Sequence, residues 1–328
     1  MNMEKLDTLL PLQHKPDLRD IRQTHAAIRK MIHRTPVLRS TQLNALCEAE
    51  LYFKCENFQK IGAFKMRGAA SAAVRLDLGV SSRGLATHSS GNHAQAVARS
   101  AQQLGIPAYI VMPENAPAIK RAATEAYGAD IRLCAPTLEA RETTLQAVVE
   151  ETGAAFIHPY DNYDVIAGQA TCALELLEDT EALDVLMAPV GGGGLMSGSC
   201  LSARYLYPSV QLIGAEPREV DDAYRSLQAG HIVTNTSIDT IADGLRTNLG
   251  QRTFTILQEH LNDLLCVEEN SIVRAMRLIW ERMKIIIEPS CAVPFAAVLE
   301  NPDRFRGKRI GIILTGGNVD LENLPFHS

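Results

Sequence analysis

Apolar and polar positions change rhythm several times along the chain. Leu18, Ile21, Ile28 and Ile32 recur at helical spacing, with Pro16 and Asp17 as a start signal and Thr35-Pro36 as a stop, which predicts a helix. His25 falls on the same face, where a packed helix histidine is the ordinary reading. Residues 51–54 read as a strand, and Lys65 then stands at the head of an alanine-rich helical run through Ala70, Ala72 and Ala73. From Leu85 short apolar runs alternate with amphipathic ones. The pattern predicts strands over 85–88, 108–112, 130–133 and 155–157, with helices over 94–104, 119–127 and 138–152 between them. A second series has a helix over 165–177, a strand over 185–190, a helix over 195–205 and a strand over 210–215. A last apolar strand covers 309–314. This βαβα order predicts an α/β fold of two open parallel-sheet units with helices on their faces. Residues 84–161 form the smaller unit in this reading, and 1–83 with 162–328 the larger.

Composition narrows the class. With 328 residues, 46% hydrophobic and 21% charged, the chain can bury a sizeable core. A formal charge of -6 without Lys/Arg runs argues against nucleic acid as a partner. The seven cysteines, at 47, 55, 134, 172, 200, 266 and 291, are scattered and show no paired metal spacing, as expected of reduced thiols and not of a structural zinc site. Residues 1–17 lack the apolar core of a signal peptide, and no later stretch is long and uncharged enough to span a bilayer. These features predict a cytoplasmic enzyme that does not engage membranes.

Four stretches carry candidate chemistry. In Ile61-Gly62-Ala63-Phe64-Lys65-Met66-Arg67, an amine flanked by Phe64 and Met66 loses hydration, which lowers its pKa and makes it a candidate Schiff-base former. In Ser89-Ser90-Gly91-Asn92-His93, hydroxyls and an amide meet a helix start, a receptor for a carboxylate. A plain helix cap is the alternative for Ser90. Gly191-Gly192-Gly193-Gly194 lies between an apolar strand and a helix, so free N–H groups and the helix field can cradle a phosphate, although a flexible turn would look the same. No Gly-Lys-Ser/Thr follows, which disfavours a nucleotide P-loop. Thr315, in Leu314-Thr315-Gly316-Gly317-Asn318, ends the last strand, where open α/β sheets place ligands. It could equally cap the adjoining turn.

In this order, the four stretches resemble the fold-type II pyridoxal-phosphate enzymes of tryptophan synthase β-like fold. Within them the group is that of serine racemase, serine/threonine dehydratase and threo-3-hydroxyaspartate dehydratase. The resemblance runs from about Leu18 to Asp320 and implies pyridoxal 5'-phosphate on Lys65. The cofactor would be held by Phe64, Asn92, Gly191, Gly192, Gly193, Gly194 and Leu195, with the Thr315 hydroxyl facing its pyridine nitrogen. A neutral hydroxyl there makes a weaker electron sink than a carboxylate would, which suits β-elimination. The resemblance also implies a substrate site from Ser89, Ser90, Asn92 and His93, with Ser90 donating a proton on the face opposite Lys65. Arg141 aligns with an arginine near the substrate pocket and offers a partner for a β-carboxylate. Glu216, the Val220 carbonyl and Asp222 match a segment that binds Mg2+, Ca2+ or Mn2+ in serine racemases, a hard-ligand set suited to such ions. An acidic solvated loop is the alternative.

The chain departs from the common pattern in places. Ala63 replaces a frequent serine, Tyr160-Asp161 differs from mammalian serine racemases, and Cys291 and Pro294 follow Glu288-Pro289-Ser290 unusually. Adenine-nucleotide activation, known among serine racemases, therefore stays open as a candidate. The ending soon after the last strand leaves no room for the regulatory domain of biosynthetic threonine dehydratases. The resemblance implies a homodimeric ammonia-lyase taking serine, threonine or threo-3-hydroxyaspartate through aminoacrylate to the 2-oxo acid and ammonia, with serine racemisation as the alternative. Two other readings remain, a β-replacement enzyme of cysteine synthase type and a catalytically silent scaffold.

Overall fold

The computed structural model describes residues 9–116 and 118–326. The first eight residues of the segment read above as lacking a signal peptide lie outside it. Among the described residues ten strands build two sheets: β1 (Val37–Leu38), β2 (Glu50–Cys55), β3 (Leu85–His88), β4 (Ala108–Pro113), β5 (Asp130–Cys134), β6 (Ala155–Phe156), β7 (Val185–Pro189), β8 (Gln211–Pro217), β9 (Asp263–Val267) and β10 (Arg309–Leu314). The larger sheet has the order β1-β2-β10-β7-β8-β9 and the smaller β5-β4-β3-β6. Every neighbouring pair is parallel except β1 with β2. Parallel strands covered on both faces read as continuous apolar runs, and β7 is buried at all five positions. Along β10 the alternation splits the core. Ile310, Ile312 and Leu314 pack on one face with Phe53 and Phe295, and Ile313 packs on the other with Leu174 and Cys200.

Close helix packing fixes the segment that carries Lys65. Helix Lys65–Val74 lies against helix Tyr163–Asp179, which in turn lies against helix Gly194–Leu206. A side chain at Gly168 would stand 2.3 Å from the Arg67 carbonyl, and one at Gly198 would stand 2.6 Å from the Ala170 nitrogen. Only glycine lets these three backbones approach so nearly.

Two differences from the sequence reading have physical causes. Helix Leu18–Ile28 starts at a capping box between Asp17 and Asp20, but stops a turn before Ile32. The His33 N–H turns aside to the Gln59 side chain at 2.7 Å, and Ile32 is buried outside the helix. Between residues 221 and 308, where no element was read, the chain forms helices Asp222–Ala229, Gln251–His260, Glu269–Met283 and Pro289–Glu300 as well as β9. No helix among the described residues is long and apolar enough to cross a membrane.

Candidate active site

Loops leaving the carboxyl ends of strands in both sheets line one cavity of about 480 Å³. That edge is where open parallel sheets leave room for ligands. Lys65, the Ser89–His93 turn, the glycine run, Leu195, Thr315, Phe64 and Arg141 all line it. Glu216, Val220 and Asp222 do not.

Lys65 is placed by pairing between its own turn and the end of β10. The Phe64 N–H donates to the Thr315 carbonyl (3.0 Å), Gly317 N–H donates to the Gly62 carbonyl (2.9 Å), and Ala63 bridges Gly316. The Lys65 amine donates to the Pro159 carbonyl at 2.7 Å and stands 5.2 Å from the Phe64 ring centre and 6.0 Å from that of Tyr160. Burial lowers its pKa to about 8, against the opposing pull of the Glu288 charge. Met66, the other expected apolar flank, is fully buried and packs in the core behind the lysine instead of beside it.

The histidines around this amine are neutral at ordinary pH. Burial pushes His93 down to about 3 and His158 down to about 4, and the Lys65 charge adds to both. The His93 ring is committed to the Ile157 carbonyl through Nε2 (2.9 Å), with Nδ1 buried and unpartnered, so any contact of His93 with a substrate carboxylate would fall to its main chain. His158 Nδ1 accepts the N–H groups of Tyr160 (3.2 Å) and Asp161 (2.8 Å). At the turn itself Ser89 Oγ accepts the Gly91 N–H at 3.3 Å, while Ser90 borders the cavity. Arg141 reaches the cavity from helix Leu138–Thr152, and with burial it lowers the pKa of His88.

The residues fit pyridoxal phosphate on three observations. The N–H groups of Gly191, Gly192 and Gly193 donate to no described residue, and helix Gly194–Leu206 begins at this loop, which suits a dianion. The loop has no room for side chains: a Cβ on Gly192 would stand 2.3 Å from the Tyr160 ring. The Thr315 hydroxyl is buried without a partner at the end of β10, where an acceptor nitrogen would satisfy it.

Sequence reasoning missed Glu288. Its carboxylate oxygens accept the Asn92 Nδ2 at 3.0 and 3.1 Å, and it lines the same cavity. Burial, then repulsion from Asp243, raises its pKa to about 7 against the Asn92 bond. One signal was present: a lone carboxylate between Ile285-Ile286-Ile287 and the apolar helix that begins at Pro289.

The expected cation ligands sit apart from the cavity. Glu216 ends β8, Val220 lies in a short 3₁₀ turn and Asp222 begins the next helix. Glu216 Oε1 accepts the Tyr224 N–H (2.7 Å), while Oε2 is buried without a partner. Asp222 accepts from Asn235 Nδ2 (2.7 Å) and the Leu249 N–H (3.0 Å). Burial raises both carboxyls, Asp222 to about 6 and Glu216 well above the usual range, with Asp222 adding to the latter. These are therefore not an acidic solvated loop. Among the described residues no three His, Cys, Asp or Glu side chains gather as a metal cluster, so a cation here would need the Val220 carbonyl and water.

Residues 28–316 match the family described as "Pyridoxal-phosphate dependent enzyme". The chain is 47% identical to the beta-hydroxyaspartate dehydratase of Paracoccus denitrificans, over 95% of this chain and 99% of that protein. It is 49% identical to the serine racemase of Dictyostelium discoideum, over 94% of this chain and 96% of that one. The structure of maize serine racemase superposes with a TM-score of 0.92 at 44% identity, covering 94% of this chain and 95% of that chain. The chain belongs to the pyridoxal-phosphate dependent enzyme family and has its fold-type II architecture.

Proposed function

We propose that this member of the pyridoxal-phosphate dependent enzyme family is an ammonia-lyase for small β-hydroxy amino acids, releasing the 2-oxo acid and ammonia. The observation that carries the reading is the Lys65 amine, desolvated and hydrogen-bonded to a neutral carbonyl, on the wall of the cavity that the hydroxyl-bearing Ser89–His93 turn also lines. When bound, pyridoxal phosphate supplies the electron withdrawal that lets the α-proton and the β-hydroxyl depart. The rest falls to the chain. Serine hydroxyls and the helix start at Asn92 hold the substrate carboxylate. The Lys65 amine, neutral above about pH 8, takes the α-proton. For serine, the α C–H and β C–O bonds break, water leaves, and water re-enters as ammonia is released from the enamine, giving pyruvate.

The second reading is serine racemisation, favoured by the hydroxyl of Ser90 on the cavity wall. A proton returned from Ser90 in place of β-hydroxyl loss would invert the α-carbon. The test follows 2-oxo acid release and the chirality of remaining substrate for L-serine, L-threonine and L-threo-3-hydroxyaspartate. Ser90→Ala removes a carboxylate-holding hydroxyl from both reactions and should raise KM for both, but it is expected to lower kcat for D-serine formation about 10²-fold more than kcat for 2-oxo acid release, the scale of a lost general acid. Equal loss of both would remove Ser90 from that role, and no turnover of any of the three would overturn the substrate class.

The partners and setting that we propose are a small amino acid, a homodimeric assembly and the cytoplasm, with an adenine nucleotide as a candidate effector. Seven free cysteines, six of them buried, support a reducing setting. A divalent cation at Glu216, the Val220 carbonyl and Asp222 is supported by the two buried carboxyls and the unpartnered Glu216 oxygen. Added Mg2+, Ca2+ or Mn2+ should raise the melting temperature, by the equivalent of about 2.7 kcal/mol at a hundredfold excess over Kd. Glu216→Gln should abolish that shift. A melting curve indifferent to all three ions would leave the site without its cation.

A further inference from the structure

Asn318, four residues beyond β10, makes two contacts for which the reading above has no use. Its Nδ2 donates to the Ile61 carbonyl at 2.7 Å and to Asn92 Oδ1 at 2.8 Å. One amide therefore joins the turn that precedes Lys65 to the turn that follows β3. Asn92 continues the chain of contacts by donating to Glu288.

The first of these turns is strained. Ile61 has φ 62, a left-handed conformation that a β-branched residue rarely holds, and Gly62 follows with φ 71. Such a conformation persists only where its surroundings determine it. Here the surroundings are residues 315–318: the pairing of Phe64, Ala63 and Gly62 with Thr315, Gly316 and Gly317 ends at the Asn318 amide. The fit is close, since a Cβ on Gly62 would stand 2.8 Å from Asn318 Oδ1.

We infer that Asn318 is a positioning residue: its amide holds the strained Ile61-Gly62 turn and the Asn92 side chain in one arrangement, and so sets where the Lys65 amine stands. This rests on Lys65 being the reacting amine. The amide must donate, because both groups it meets are oxygens. A carboxylate of the same shape would meet them with repulsion.

That difference gives the test. Asn318→Asp and Asn318→Ala are compared with the wild type in three measurements: kcat and KM of the holoenzyme for L-serine, the pH dependence of Lys65 acylation in the full-length cofactor-free chain read by mass spectrometry, and melting. In both variants kcat is expected to fall by about 10- to 100-fold, the scale of a small misplacement at a reacting centre. Asn318→Asp should be at least as impaired as Asn318→Ala. The labelling midpoint should rise by about half a unit or more as the amine regains water. A role in filling space alone would instead make Asn318→Asp the milder change and move melting without moving the midpoint, and that result would overturn the inference. Should Asn318→Ala fail to fold, Asn318→Asp decides. If wild-type protein neither captures pyridoxal phosphate at Lys65 nor turns over, the functional reading fails, while the labelling shift still reports on the positioning.

Discussion

Lys65→Ala should release 2-oxo acid at least about 10⁴-fold more slowly than the wild type, because in the proposed function one amine is both the covalent anchor and the general base. The fold should survive the change. Among the described residues the amine makes a single hydrogen bond, to the Pro159 carbonyl, and helix Lys65–Val74 is fixed by residues that the substitution leaves in place. Melting within a few degrees of wild type would separate lost chemistry from lost structure. The pH dependence of wild type supplies a second arm. Burial brings the free amine to about 8, so its competence as a base should rise as pH passes through that value. Loading of pyridoxal phosphate onto the cofactor-free chain should follow the same curve, since only the neutral amine attacks an aldehyde. Retention of more than about 1% of activity by Lys65→Ala would exceed the range expected for loss of such a group and would point to another amine.

The parts of this molecule legible in its sequence are those where local pattern and global role coincide. The strand-turn-helix units between Leu85 and Thr152 were readable because short strand-like runs, apolar over 108–112 and alternating over 130–134, take turns with longer helical stretches at regular spacing. The stretch from Asp221 to Lys308 is mixed: helix Glu269–Met283 has the same kind of period, at Ile272, Ala275, Met276 and Ile279, and went unread, whereas the next helix offers less. Helix Pro289–Glu300 is apolar on every side, with Pro294 inside it, so neither a helical period nor a clean terminus marks it. The site divides in the same way. Glycine runs and hydroxyl-rich turns announce themselves, whereas the groups that orient them do not. Glu288 and Asn318 act through partners 196 and 226 residues away in the chain, and no window of sequence contains such a pair. The depressed pKa of Lys65 was anticipated from apolar flanks, but only Phe64 supplies one. The rest is burial by the cavity wall as a whole, to which the other sheet brings Pro159 and Tyr160.

Arg67→Met should cost about 3–5 kcal/mol of stability, the scale of breaking a buried ion pair from one side. Arg67, Lys54, Glu56 and Glu175 are all fully buried. The guanidinium donates to Glu56 Oε2 (2.7 Å) and Oε1 (2.8 Å) and to Glu175 Oε1 (2.8 Å) and Oε2 (2.7 Å), while Lys54 donates to Glu175 Oε2 at 2.7 Å. Two cations thus balance two anions. Methionine would fill much of the space but leave two carboxylates facing one amine. Lysine would restore the charge without the paired geometry, so Arg67→Lys should fall between.

The loss should depend on pH in a defined sense. Burial acts to raise the Glu175 carboxyl, but hydrogen bonds from His25 and Arg67 and the charges of Arg67 and Lys54 overcome it, holding Glu175 well below the usual range. A depressed carboxyl stabilises the fold fully above its unfolded pKa of about 4.3 and loses that contribution as pH falls toward the native value. In Arg67→Met burial would dominate instead. The gap between the two proteins should then be widest near pH 7, begin to narrow above about pH 4.3 as the raised Glu175 carboxyl of Arg67→Met takes up its proton, and go on narrowing toward the depressed wild-type value. Urea unfolding from pH 3.5 to 7.5 measures this, and a gap unchanged over that range would mean that Arg67 stabilises by packing alone. Because Arg67 lies two residues after Lys65, on the same helix, the charge network and the Asn318 amide grip Lys65 from opposite sides in sequence. One fixes the helix that follows it and the other the turn before it, so combining Arg67→Lys with Asn318→Asp should reduce kcat by more than the product of the single effects.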